Sequence, residues 1–105
     1  MSDLEALLDL HIKLAGLPEP EREYRFCKPR RFRFDRVWKD RMLALEVDGG
    51  AWSGGRHTSG KGFTSDCEKA TLAAIAGFRV MHVTGEHIKS GQALKWLQEA
   101  LGATK

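Results

Sequence analysis

Cysteine is scarce in this sequence. Cys27 and Cys67 are the only two, too few for a disulfide framework and not spaced as a CxxC metal knuckle, so both are read as reduced thiols. No apolar run approaches the roughly 20 residues a membrane helix needs. The chain opens on Asp3 and Glu5 instead of a basic segment leading into an apolar stretch, so no secretory signal is read and a cytosolic location is expected. Internal repeats and linker-like stretches are also missing. With 105 residues there is room for one core, and residues 1–105 are taken as a single domain.

The net charge of +3 is small, but its distribution is uneven. Between Arg22 and Arg41 lie Arg22, Arg25, Lys28, Arg30, Arg31, Arg33, Arg36, Lys39 and Arg41, against Glu23, Asp35 and Asp40. The aromatics Tyr24, Phe26, Phe32, Phe34 and Trp38 are interleaved with them. Clustered cations of this kind attract phosphates, and aromatics either pack a core or stack on bases.

Ser2 and Glu5 fit a capping box, and Leu4, Leu7, Leu8, His11 and Leu14 follow at helical spacing, which predicts a first helix over Asp3–Ala15. A short strand near Glu23–Phe26, a Lys28-Pro29-Arg30 turn and a second strand over Arg31–Val37 form a hairpin. After a polar turn at 38–41, Met42–Asp48 alternates Leu43, Leu45 and Val47 on one face with Ala44, Glu46 and Asp48 on the other. Residues 49–64 hold six of the eleven glycines and are read as a long loop. Ser65 and Glu68 suggest a second capping box, opening a helix closed by Gly77. A fourth strand over Phe78–Thr84, a connection at Gly85–Lys89 and a last helix capped by Ser90 complete the order αβββαβα. The fold class expected is therefore α/β (α+β), a mixed four-stranded sheet flanked by helices, the helix between strands three and four making a right-handed parallel crossover.

Asp35 and Glu46 sit on strands joined by a short turn, and Asp48 returns to the face of Glu46 by alternation. Three carboxylates in one place need a cation. Hard divalent ions such as magnesium take oxygen donors and activate water for phosphodiester hydrolysis. The cationic Arg30, Arg31, Arg33 and Arg36, with Arg56, Lys61 and Trp52 from the glycine-rich loop, would hold DNA, and Trp38 is a second candidate for base stacking.

The element order, with F-R-F-D at 32–35, L-E-V-D-G-G at 45–50, W-S-G-G-R-H at 52–57, D-C-E-K at 66–69 and G-F-R-V at 77–80, resembles the PD-(D/E)XK nuclease superfamily. Within it the chain is similar to the very-short-patch-repair-endonuclease-like branch and to small nuclease-like proteins of phages and prophages. The resemblance implies a restriction-endonuclease-like core, magnesium or manganese as cofactor, and Asp35, Glu46, Asp48 and the Val47 carbonyl as metal ligands. Asp48 stands where the half-motif has lysine, which leaves Lys69 or His57 to supply the missing cationic or proton-transferring group.

The function expected is a metal-dependent DNA endonuclease, structure- or backbone-specific, of the kind that nicks or processes branched DNA in phage-type recombination or repair. The alternatives are a catalytically silent DNA-binding module and a nuclease-fold subunit of a larger assembly. A homodimer would set two sites against opposed DNA strands.

Overall fold

The structure is a computed structural model of the chain, and it describes residues 3–27, 30, 32–48 and 60–102, the side chains of residues 60 and 61 excepted. Its elements run α1 (Asp3–Leu14), β1 (Glu21–Arg25), β2 (Arg33–Trp38), a 3-10 turn (Lys39–Arg41), β3 (Leu43–Val47), α2 (Gly60–Ile75), β4 (Arg79–Val83), α3 (Gly85–Ser90) and α4 (Gln92–Ala100). The strands form one mixed sheet in the order β1-β2-β3-β4. The first two pairings are antiparallel and β3–β4 is parallel, with α2 as the crossover. The expectation of a mixed sheet flanked by helices is thus met.

Alternation along β3 divides the core. Leu43 and Leu45 enter the larger cluster, with Leu8 and Ile12 of α1, Ile88 of α3, and Ala93 and Leu97 of α4, and Val47 packs against it. Ala44 turns the other way, to Phe34, Val37 and Ala73 of α2, with Tyr24, Phe26, Phe78 and Val80 around them. Four of the five aromatic residues of the cationic segment, Tyr24, Phe26, Phe34 and Trp38, therefore build core. Phe26 stacks on Phe34 with centroids 4.2 Å apart, and Phe78 meets Phe34 edge-on. Trp38, read as a candidate for base stacking, is 2% exposed and donates its indole N–H to the Pro18 carbonyl at 2.7 Å. It is a core residue.

β1 runs Glu21–Arg25 where Glu23–Phe26 was expected, and four further differences from the sequence reading stand out. First, α2 begins at Gly60, so residues 60–64 of the expected loop are helical and Ser65 and Glu68 lie inside the helix; a capping-box pattern within a helix is only local spacing. Its end is as read, with Gly77 at φ +93 and Phe78 N–H bonding the Ala73 carbonyl. Second, the expected connection at 85–89 is helix α3. Thr84 accepts the His87 amide while His87 Nδ1 accepts the Thr84 N–H at 3.0 Å, a capping box that uses histidine in place of glutamate. Gly85 allows the close approach to α1, since a Cβ there would stand 2.9 Å from Leu4. Third, the N-cap of α4 is Gly91, not Ser90. Fourth, β2 starts at Arg33, two residues late.

Arg36 is the largest correction. Expected on a DNA-binding face, it is 1% exposed. Its guanidinium forks onto Asp9 of α1, Nε to Oδ1 and Nη2 to Oδ2, both at 2.8 Å, and Nη1 reaches Glu5 at 3.1 Å and its neighbour's Asp35 carbonyl at 2.6 Å. Burial opposes the charge, yet Asp9 and Glu5 more than offset it and raise the Arg36 pKa. With four of its five N–H donors engaged, the planar fork fastens β2 to α1, and at 1% exposure it is not presented to a phosphate.

Removing one member of a buried ion pair leaves the other uncompensated, at a cost of about 3–5 kcal/mol. Glu5 and Asp9 keep about a fifth of their side-chain surface exposed (21% and 18%), so Arg36→Met should fall near the lower end, read as a lower urea midpoint. Adding Glu5→Gln and Asp9→Asn to it should recover most of the loss.

Candidate active site

The ladders skip one residue of β2. β1 pairs Arg22 with Arg36 and Tyr24 with Phe34, while β3 pairs with β2 only from Arg36 onward, so Asp35 is in neither register. Opposite it, Glu23 has φ +48. The side chains show the same break. Phe34 and Val37 share the α2-side cluster although three residues apart, while Arg36 turns to α1. Phe34 and Asp35 thus face the same way, the alternation slipping by one where Glu23 and Asp35 drop out of the ladder together while the register on either side is unchanged.

Both backbone groups of Asp35 find charged side chains in place of ladder partners. Its N–H donates to Glu46 Oε2 at 3.1 Å and its carbonyl accepts from Arg36. Its own carboxylate accepts the Val47 N–H through Oδ2 at 2.7 Å. Asp35 and Glu46 are therefore locked together by reciprocal bonds between each side chain and the opposing strand's backbone. The two carboxylates meet on one sheet face, as the short connection between their strands indicated, although the alternation expected to separate Phe34 from Asp35 is broken.

Glu46 is the more enclosed, with 14% of its side chain exposed, and Oε1 accepts the Lys69 ammonium from α2. That ammonium also lies 5.7 Å from the centre of the Phe34 ring. Lys69 thus stands where a relocated lysine was expected. Burial pushes the Glu46 carboxyl above the ordinary glutamate range, and the Asp35 charge adds to the shift, against the opposing pull of Lys69. These groups line a cleft of about 310 Å³ together with Glu23, Phe32 and Arg33.

Asp48 takes a different partner. Its carboxylate meets His82 Nδ1 of β4 at 3.0 Å, at the C-terminal ends of the two parallel strands. His82 stands in register with Glu46, a proximity that the sequence alone did not reveal because β4 returns beside β3 only after the crossover. Among the described residues no group of three or more His, Cys, Asp or Glu side chains is arranged to hold a metal ion. Asp35 and Glu46 form a two-carboxylate site, with Asp48 drawn aside to His82.

Of the cations expected to bind DNA, the three whose side chains are described, Arg30, Arg33 and Arg36, are each paired with an acid. Arg30 makes a bidentate pair with Glu68 of α2 at 3.0 and 2.7 Å, which raises its pKa and lowers that of Glu68, and its guanidinium lies 4.8 Å from the Phe32 ring centre. Arg33 pairs with Glu23 and Arg22 with Asp9, both at 3.2 Å. Lys61 falls in the first turn of α2, and its side chain lies outside the described residues, as do Arg31, Trp52, Arg56 and His57.

No family model, curated protein or solved structure matches the chain.

Because the raised Glu46 pKa means that the folded chain holds this proton more tightly than the unfolded one, stability is greatest with Glu46 protonated. It falls as pH rises from the ordinary carboxylate range through the raised value. Glu46→Gln should remove that fall and give a urea midpoint at pH 7 no lower than that of the parent. A clearly lower midpoint would mean that the Lys69 bond outweighs the burial cost.

Proposed function

We propose that the chain is a metal-dependent DNA endonuclease with a restriction-endonuclease-like core, using Asp35 and Glu46 to hold magnesium or manganese and Lys69 beside them at the scissile phosphate. The observation that carries this reading is the pair of carboxylates locked across β2 and β3, with an ammonium brought to the same point by the crossover helix. A surface stability role would not bury Glu46 at a cost to its ionisation.

The donor set fits a hard cation. Magnesium keeps several waters and asks for only one or two carboxylates from protein, the remaining contacts coming from substrate phosphate. Asp35 Oδ2 and Glu46 Oε2 are held by backbone N–H groups, so Asp35 Oδ1 would be the oxygen offered to an ion, with Glu46 Oε1 joining it on release of Lys69, and the Val47 carbonyl remains the expected backbone ligand. When bound, the ion would neutralise charge developing on the phosphate and lower the pKa of a bound water.

The protein's own residues supply the rest. Asp35 and Glu46 position each other through their backbone bonds, so neither reorganises as substrate arrives. Lys69 neutralises Glu46 in the free protein and, on transfer of its ammonium to a non-bridging phosphate oxygen, would offset negative charge there. The Phe34 ring lies beside the Lys69 ammonium at 5.7 Å from its centre, where the π face favours the positive charge. Asp48 holds His82 in place at the strand ends, adjoining the reacting centre. With 105 residues little surface remains for base readout, which favours recognition of backbone and DNA shape.

Nicked, branched, single-stranded and duplex DNA incubated with magnesium, with manganese and with chelator will test this reading. Cleavage should require the ion. Asp35→Asn and Glu46→Gln should each abolish it while leaving binding intact, and Lys69→Met should cost about a hundredfold or more in rate with little change in affinity. DNA binding with no cleavage of any substrate under either ion would favour the silent binding module.

A further inference from the structure

The two edges of the sheet are protected very differently. β1 reads Glu21-Arg22-Glu23-Tyr24-Arg25, charged at four of five positions and distorted at Glu23. Charge and local distortion are the usual means by which an edge strand avoids pairing with another chain. β4 reads Arg79-Val80-Met81-His82-Val83, with neither lysine nor proline nor bulge. Its one permanent charge lies at the strand's first residue and is engaged within the chain, the exposed Arg79 guanidinium donating to the Arg41 and Ala100 carbonyls at 3.2 and 3.4 Å.

The backbone of β4 fixes which groups face outward. Arg79 N–H donates to the Met42 carbonyl at 2.8 Å and the Val83 carbonyl accepts the Asp48 N–H at 2.7 Å. Odd-numbered residues thus bond to β3, and by strand alternation Val80 and His82 direct their N–H and C=O groups to the other edge. Among the described residues no strand or backbone group bonds to that edge.

We propose that β4 is a dimer edge, on which a second copy of this chain pairs antiparallel about a two-fold axis through Met81. In this register Val80 of each copy lies opposite His82 of the other, so the outward N–H and C=O groups of both are satisfied by exchange of two bonds per pair. Met81 meets Met81 across the axis, and Arg79 lies opposite Val83. No like permanent charges are opposed. The same operation on β1 would set Glu23 against Glu23, which is why the second copy is assigned to β4. A two-fold axis perpendicular to the sheet keeps both α2-bearing faces, with their clefts, on one side of the doubled sheet. The proposal rests on edge chemistry alone and stands apart from the assigned function.

Sedimentation of the full chain should show a reversible dimer of the 11.8 kDa protomer. Met81→Cys, in a background of Cys27→Ser and Cys67→Ser, should give a covalent dimer on mild oxidation, because directly opposed non-hydrogen-bonded residues have Cβ atoms roughly 4.5–5.5 Å apart. Glu21→Cys on β1 in the same background should not. His82→Pro removes the outward N–H together with the side-chain contact to Asp48 and should yield a monomer with unchanged far-ultraviolet circular dichroism, whereas His82→Ala, which loses that contact and keeps the N–H, should remain a dimer. The proposal is overturned if the parent sediments as a monomer throughout, or if Met81→Cys cross-links no better than Glu21→Cys. Should His82→Pro fail to fold, the cysteine comparison still decides.

Discussion

The guanidinium of Arg36 sets the geometry on which the site depends. By forking onto Asp9 and reaching Glu5, it commits one face of β2 to α1 and orients every residue from Asp35 onward. It also takes the Asp35 carbonyl. With that group occupied from the side, the Asp35 amide bonds a Glu46 carboxylate oxygen rather than a β3 carbonyl. The break in alternation at Phe34–Asp35 then puts an aromatic and an acid side by side in the cleft. A buried ion pair of this kind is weak evidence for stability as such, since a hydrophobic replacement often serves as well. Its role here is in register: an apolar residue at 36 would pack on α1 but would leave the Asp35 carbonyl without this donor.

Much of the architecture was legible from period alone. The alternation of Leu43, Leu45 and Val47 against Ala44, Glu46 and Asp48 assigns both faces of β3, and that assignment holds in the packing. The adjacency of Asp35 and Glu46 followed from a hairpin with a short connection. The fate of Arg36 did not, because a count of charges within 22–41 omits acids outside that window. Glu5 and Asp9 lie one helix away and Glu68 one crossover away, and each neutralises a cation that looks free in its own segment. The Asp48–His82 contact was hidden for the same reason: parallel neighbours are separated by the whole of α2. The α3 helix escaped notice because histidine, not an acid or amide, completes its capping box.

Glu46 illustrates how a site can stand against the stability of its own fold. Its carboxylate is enclosed enough that burial dominates its ionisation despite a direct lysine partner. A purely structural residue at this position would be better apolar or better solvated. Under the proposed function the unfavourable burial has a purpose, since a carboxylate poorly solvated by water interacts more strongly with an arriving cation. Natural chains retain such positions where activity requires them, at some cost in stability.

The same reasoning recasts the cationic segment. Around the cleft, Lys69 is held by Glu46, Arg33 by Glu23 and Arg30 by Glu68. A phosphate approaching these groups would therefore exchange one anionic partner for another instead of meeting bare cations. For the exposed pairs that exchange is inexpensive, because a solvent-exposed ion pair contributes only about 0–1 kcal/mol. At Lys69, under the proposed function, it would be coupled to metal binding at Glu46. An ion on Glu46 would displace the ammonium, and the displaced ammonium is then free for the phosphate. Metal and substrate would thus each favour the arrangement the other needs, through a single side chain that moves from carboxylate to phosphate as charge develops there, so that Lys69 counts in the rate of cleavage far more than in the affinity for uncleaved DNA.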